Sequence, residues 1–436
     1  MNILYGTYAL ISSGLFLACF PIFLLYALFK GRYGEGLKER LGYIHSGLTQ
    51  SLTGSPRIWI HAVSLGEIKA AESIINSLKN IIPGCSIILS TTTGHGRDLA
   101  NNIFREKVPV IYSPIDFIVS VRKALENVRP DVLVLMETEI WPAWINEARR
   151  MGVKIAMVNG RISSRSYNKY LLFRTFFQAV LRNIDIFSMI TEEDRMRIAS
   201  LGADPDKITV NGNAKYDLLS DSADPSIEPE MRRILNLEDH PPVFIAGSTR
   251  TGEESMIIYV YKRIIKEFPD TVLIIAPRHI DRTGEIASLL EKYNLRYQLR
   301  SELDNNSVKR VEQVVIIDRF GELFKLYSVG TIIYCGASLV PLGGQNPLEA
   351  AVWGKATLYG PYMEDFLDAK SLLDANDSGI QVSSPEMLEE KVIGLLKDPD
   401  LLKNYGARAR EAVLSNRSAG ERHARIISDL IYRDKK

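Results

Sequence analysis

Residues 57–78, RIWIHAVSLGEIKAAESIINSL, carry an apolar run that ends in a turn and reopens as a helix. Arg57 to Ala62 reads as a buried strand, and Ile68, Ala71, Ile74, Ile75 and Leu78 recur with the helical period. A strand feeding directly into a helix is the opening half of a βαβ unit and predicts an open α/β sheet. It places Glu67 at a strand-to-helix corner, where such sheets take their ligands. Two readings of Glu67 stand side by side. The helix dipole favours an ionised carboxylate, which can accept a proton at neutral pH. Ser64-Leu65-Gly66-Glu67 also fits the S-x-x-E capping box, in which the carboxylate only satisfies backbone N–H groups.

The same alternation continues outward from this unit. Candidate strands fall at 57–62, 86–91, 108–112, 131–136, 153–158 and 186–190, then at 243–247, 271–276, 313–317, 331–335 and 355–359. They are apolar on both faces, as expected of parallel strands covered by helices. Residues 217–242 are polar and Pro-rich, the composition of a connection between domains. The expected architecture is α/β, with two Rossmann-like domains facing across a cleft. No repeat of solenoid period interrupts it.

The 436 residues, 46% hydrophobic and 24% charged, suffice for two cores. Cys19, Cys85 and Cys335 lie far apart, and the six histidines form no H-x-x-x-H or Cys/His cluster. Neither a disulfide framework nor a metal site is expected, and no D-x-D pair stands at a strand end. The net charge of +1 conceals an asymmetry: residues 1–216 hold 25 Lys+Arg against 18 Asp+Glu, and residues 217–436 hold 28 against 34. The first half suits an anionic surface and the second does not. No nucleic-acid partner is expected.

Asn2 to Phe29 contains no charged residue. A helix of that length reaches roughly 40 Å, enough to cross a bilayer. Lys30, Arg32, Lys38 and Arg40 follow, so the positive-inside rule predicts an N-terminal transmembrane helix with everything downstream in the cytoplasm. Residues 161–182, RISSRSYNKYLLFRTFFQAVLR, interleave cations with aromatic residues. They read as a core-packed helix with a basic outer face or as a helix against anionic lipid, and the basic first half favours lipid.

Several loops carry candidate chemistry. Strand 131–136 runs into Glu137-Thr138-Glu139-Ile140-Trp141-Pro142, where two acids resemble an acid/base pair or compensate the dipole of the helix Pro142 starts. Lys215 lies just before the domain connection. In the second half, Gly343-Gly344-Gln345-Asn346-Pro347-Leu348-Glu349 offers glycines for close approach of a ligand, and a helix N-terminus for a phosphate. Gly247-Ser248-Thr249-Arg250-Thr251-Gly252-Glu253-Glu254 repeats that logic, and Arg278 ends a strand where it can take a phosphate or carboxylate.

With these motifs assembled, the chain resembles the bacterial 3-deoxy-D-manno-octulosonic acid (Kdo) transferases of lipopolysaccharide synthesis, a GT-B glycosyltransferase family. The resemblance runs from Glu39-Arg40-Leu41-Gly42 through Ile60-His61-Ala62-Val63-Ser64-Leu65-Gly66-Glu67 and Asn213-Ala214-Lys215 to the Gly343–Ala351 loop. It implies Glu67 as general base, with Glu137 and Lys215 stabilising the transition state. It also implies donor contacts at Pro277, Arg278, Gly321, Glu322, Leu323, Asn346, Pro347, Leu348 and Glu349, which would hold the CMP part of CMP-Kdo. The implied reaction is an inverting transfer, without a metal cofactor, from CMP-Kdo to a lipid A precursor (lipid IV A) at the inner membrane. Gln345 replaces the family's usual histidine, and Tyr362 and Asp365 stand in a segment that usually reads Gly-Pro-His…Asn-Phe. The domains this implies are an anchor at 1–29, an acceptor domain at 30–216, a connection at 217–242 and a CMP-sugar domain at 243–436, the last helices packing back on the first domain. The rivals are another membrane-tethered nucleotide-sugar transferase or epimerase, and a noncatalytic anchored nucleotide-binding module.

Overall fold

The computed structural model of the protein describes residues 5–10, 12–14, 16, 18, 36–237, 239–304 and 308–433. The chain divides into two compact units, one of residues 1–218 with 418–436, the other of residues 219–417.

The first unit is built on seven parallel strands: β1 (Arg57–His61), β2 (Ser86–Thr91), β3 (Val110–Tyr112), β4 (Val132–Met136), β5 (Lys154–Gly160), β6 (Ile186–Met189) and β7 (Ile208–Val210). Their order is β3-β2-β1-β4-β5-β6-β7. The second unit repeats the plan with β8 (Val243–Thr249), β9 (Val272–Pro277), β10 (Tyr297–Leu299), β11 (Val314–Ile316), β12 (Ile332–Cys335), β13 (Ala356–Tyr359) and β14 (Gly379–Gln381), in the order β10-β11-β9-β8-β12-β13-β14. Six helices matter below: α1 (Leu65–Ile81), α2 (Pro142–Arg150), α3 (Ser164–Leu172), α4 (Arg174–Leu181), α5 (Glu253–Glu267) and α6 (Ala419–Tyr432).

Alternation along the central strands explains why both faces of the first sheet are covered. Trp59, Leu133 and Leu135 point into one core; Ile58, Ile60, Val132 and Val134 point into the other. Each of these side chains is fully buried, worth about 1.5–3 kcal/mol apiece for residues of this size. The second core includes α1, where Ile68, Ala71, Ile74 and Leu78 meet Ala424, Ile427 and Leu430 of α6. Thus α6, from the end of the chain, completes the first unit, fixed further by a hydrogen bond between His423 Nδ1 and Ser188 Oγ at 2.7 Å.

Strands β7, β10 and β14 did not stand out in the sequence. Each has three residues and lies at or next to a sheet edge, with little of the continuous burial that makes an apolar run legible. The polar stretch 217–242 holds a helix, Ile227–Ile234, and Met231, Leu235 and Leu237 from this stretch enter the core of the second unit.

The expected transmembrane helix falls on residues 2–29. Among the described residues no helix is long and apolar enough to cross a membrane, and most of 2–29 lies outside the described residues. What is described of it is helical and lies on the first unit. The Tyr5 hydroxyl donates to Glu147 Oε1 at 3.3 Å, the Tyr8 hydroxyl to Asp116 Oδ2 at 2.7 Å, and Phe16 stacks on Phe117 at 4.4 Å.

Candidate active site

In an open parallel sheet, ligands bind beyond the carboxyl ends of the strands where the strand order reverses. In the first sheet that point lies between β1 and β4. Glu67 follows β1 and Glu137 follows β4, so the two carboxylates implied by the sequence flank the switch point.

The capping-box reading of Glu67 is realised. Its backbone N–H donates to Ser64 Oγ at 3.3 Å, and Glu67 Oε1 accepts from the Ser64 N–H at 3.2 Å, closing the capping box. Oε2 accepts from the Val63 N–H at 2.8 Å. The expected direction of its ionisation is reversed, however. Burial, followed by the negative charge of Glu137, pushes the Glu67 carboxyl up to about 7, against the opposing pull of the Val63 N–H. A helix-end dipole is weaker than the desolvation of a carboxyl that is only 5% exposed. The outcome is a group balanced near neutral pH, the range in which a general base works best.

Lys215 Nζ donates to Glu137 Oε1 at 2.5 Å. The same ammonium lies over the first turn of α1, where a Cβ on Gly66 would stand 3.2 Å from it. Glu67, Glu137 and Lys215 are therefore brought together. Glu139 is next to them: it accepts from the Trp141 indole, and its carboxyl is also raised, by burial first and by Glu137 after its indole bond. Glu137 sits at φ 51, left-handed backbone that a non-glycine residue adopts at a cost and that recurs at functional sites.

Asn159, at the end of β5, was not singled out in the sequence. Its Oδ1 accepts from the Ala214 N–H at 2.8 Å, and Asn213 Oδ1 accepts from the Lys215 N–H at 3.0 Å. These two amides fix the short turn that aims Lys215. The signal was available: Asn159 stands at a strand's carboxyl end, like Glu67 and Glu137. Asn159→Gly keeps the left-handed backbone (φ 52) but deletes the acceptor. It is expected to cost about 1–2 kcal/mol in urea unfolding and to lower turnover by displacing Lys215.

His61, in the same motif, is not a proton carrier. It is buried, stacked on Trp144 at 4.9 Å with Nδ1 3.0 Å from Ser90 Oγ, and burial lowers it to about 4. It packs the strand that precedes the Glu67 turn.

The candidate residues of the second unit lie at three loops. Pro277 ends β9 and is buried, and Arg278 is exposed, its N–H donating to Thr249 O at 3.0 Å. Gly321 has φ 85, Glu322 pairs with the buried Arg300 guanidinium at 3.0 Å, and Leu323 opens a helix of one turn. Pro347 and Leu348 are buried, and Glu349 lies in the first turn of Leu348–Ala351. That helix has four residues, and Asn346 Oδ1 already accepts the Leu348 N–H at 3.1 Å. One of the amides expected to face a phosphate is thus already met by a side chain. The paired glycines also answer to the protein itself: a Cβ on Gly343 would meet Asp365 at 2.4 Å, and one on Gly344 would meet Met363 at 2.4 Å. They admit the segment 362–365, the one that departs from the family pattern.

The 247–254 loop likewise holds its own anion. Glu253 is fully buried and accepts from the N–H groups of Ala337 (2.6 Å), Ser338 (3.0 Å), Leu339 (3.1 Å) and Arg250 (3.0 Å), and from the Tyr334 hydroxyl (2.5 Å). A nest of backbone amides that sequence logic assigns to phosphate is filled by this carboxylate.

Two parallel Rossmann-like units, the first with an acid and lysine cluster at its switch point, define a chain of the GT-B type. The fold is similar to that of a UDP-GlcNAc 2-epimerase from Neisseria meningitidis, solved bound to UDP-GlcNAc, with a TM-score of 0.62 over 86% of this chain and 100% of that one, at 16% identity. Residues 35–218 match the family model described as 3-deoxy-D-manno-octulosonic-acid transferase (kdotransferase). A 3-deoxy-D-manno-octulosonic acid transferase of Rickettsia felis is 31% identical over 86% of this chain and 79% of its own length. A bifunctional glycosyltransferase/methyltransferase of Fusobacterium nucleatum is 36% identical over 81% of this chain, which spans 55% of that protein. The chain belongs to the 3-deoxy-D-manno-octulosonic acid transferase family.

Proposed function

We propose that the protein transfers Kdo from CMP-Kdo to a hydroxyl of a lipid A precursor in lipopolysaccharide synthesis, with inversion at the anomeric carbon. The observation that carries this reading is the cluster of Glu67, Glu137 and Lys215 at the first switch point, in a chain of this family. Glu67 takes the proton of the acceptor hydroxyl as its oxygen bonds to the anomeric carbon; the bond to the CMP phosphate breaks, and its electron pair leaves with CMP. Lys215, held by Glu137, supplies positive charge beside that base. CMP leaves with a single phosphate, whose charge an exposed cation such as Arg278 can meet, so this reading assigns no role to a metal.

The protein works at the cytoplasmic face of the inner membrane in this reading. Support comes from the uncharged stretch 2–29, the basic balance of the first half, and the junction of α3 and α4. There Leu172 is 79% and Phe173 65% exposed, while Tyr167, Tyr170 and Phe176 pack inward. The segment is two helices rather than one, and the exposed apolar junction between them supports the lipid reading.

With the full chain in detergent, CMP release from CMP-Kdo should require the lipid acceptor, and UDP-sugars should neither bind nor turn over. Turnover of a UDP-sugar in place of CMP-Kdo would favour the epimerase-like rival instead.

The pH dependence follows from the carboxyl balance. Because Glu67 must be ionised to accept a proton, kcat/KM should rise with unit slope through about pH 7. Glu137→Gln removes the neighbouring negative charge, so the acid limb should move to lower pH even as the maximum falls. A limb that stays fixed in Glu137→Gln, or moves upward, would contradict the coupling.

A further inference from the structure

Helix α2 follows directly on the Glu137-Thr138-Glu139-Ile140-Trp141 loop, and its N-cap, Trp141, provides no side-chain cap. The free amides of its first turn are met from elsewhere in the chain: Asp116 Oδ1 accepts from the Trp144 N–H at 3.1 Å, and Asp116 Oδ2 from the Ala143 N–H at 3.3 Å. The Trp144 ring in turn lies on His61, at the end of the strand that delivers Glu67. One turn of helix therefore borders both acidic loops, and one carboxylate fixes it.

That carboxylate has a third partner, the Tyr8 hydroxyl at 2.7 Å, whose ring also packs on Phe176 at 5.4 Å. We infer that Tyr8 is a positioning residue for the reaction centre: by holding Asp116 as the cap of α2, the N-terminal segment sets the loop that carries Glu137 and Glu139. The segment is then part of the catalytic unit as well as a means of reaching the membrane. Its opposite face carries Leu10, 78% exposed, which is free for lipid. Burial raises the Asp116 carboxyl and disfavours its charge, and the Tyr8, Ala143 and Trp144 hydrogen bonds oppose this only in part, so loss of the phenol weakens the cap itself.

The inference rests on the Kdo-transfer reading for its activity arm and is independent of it for its structural arm. Tyr8→Phe in the full chain, which keeps the ring and deletes the hydroxyl, is compared with wild type and with Leu10→Ala. Tyr8→Phe should lower kcat roughly tenfold on the lipid acceptor and equally on a water-soluble deacylated acceptor, leaving the donor KM unchanged. Leu10→Ala should affect the lipid acceptor alone. Hydrogen exchange of the Ala143 and Trp144 amides should quicken in Tyr8→Phe and not in Leu10→Ala. Asp116→Asn with Tyr8→Phe should be no worse than Asp116→Asn alone. A Tyr8→Phe enzyme impaired only toward the lipid acceptor, or unimpaired, would overturn the inference. Should wild type itself fail to transfer Kdo, the function reading fails, and exchange decides this one: faster α2 exchange sustains it and unchanged exchange overturns it.

Discussion

Glu67→Gln is expected to lower Kdo transfer by about 10³-fold while leaving the protein folded. The two halves of this expectation come from the double role of the side chain. Gln is the other residue that completes an S-x-x-E/Q capping box, so the bonds with Ser64 persist and α1 keeps its start, while the Val63 N–H loses its acceptor. What disappears is the proton acceptor. The variant should also reveal a cost of function. The Glu67 carboxyl is higher in the folded protein, at about 7, than its ordinary 4.5, so its contribution to stability is fully present below pH 4.5 and lost as pH rises through 7. Glu67→Gln has no such loss, so its stability relative to wild type should improve as pH rises through 7. Transfer at the wild-type rate by a folded Glu67→Gln would remove Glu67 from the role of base.

The largest expected effect on stability lies in the second unit. Glu253→Ala strands five donors, four backbone N–H groups and the Tyr334 hydroxyl, in a fully buried site. Leaving even some of them unmet is worth about 3–5 kcal/mol, or a Tm lower by roughly 10 °C. Glu253→Gln should fall between, since its amide nitrogen must face donors where an acceptor is needed. The same variants should raise the donor KM, because the carboxylate fixes residues 337–339 at the switch point between β8 and β12. Calorimetric unfolding with Tm unchanged in Glu253→Ala would show that the loop stands without it.

Legibility in the sequence followed burial. Strands such as 132–136, apolar on both faces and in the middle of a sheet, were readable because continuous burial writes a continuous apolar run. The edge strand 208–210, with only Ile208 buried, wrote no such signal. The acids Glu67 and Glu137, proposed to act in the reaction, were legible from corner position and motif. Asp116 and Glu253 were not, because each acts through backbone amides elsewhere in the chain, 28 residues away for Asp116 and Trp144 and 84 for Glu253 and Ala337; Asn159 carried the corner signal but not its partner, Ala214, 55 residues on. The direction of the Glu67 shift was misread for a related reason. A helix end is visible in sequence, whereas the depth at which a carboxyl is buried is a property of the fold. Gly343 and Gly344 show the same limit, since the need for close approach was readable and the partner, residues 362–365, was not.

Membranes containing the full chain, incubated with CMP-Kdo and tetraacylated lipid A precursor, show by mass spectrometry of the lipid whether this chain moves Kdo and whether Glu67 takes the proton. New lipid species heavier by whole Kdo units are expected with wild type and none above background with Glu67→Gln; an unmodified lipid with wild type, beside a Kdo transferase control that works, would contradict Kdo transfer.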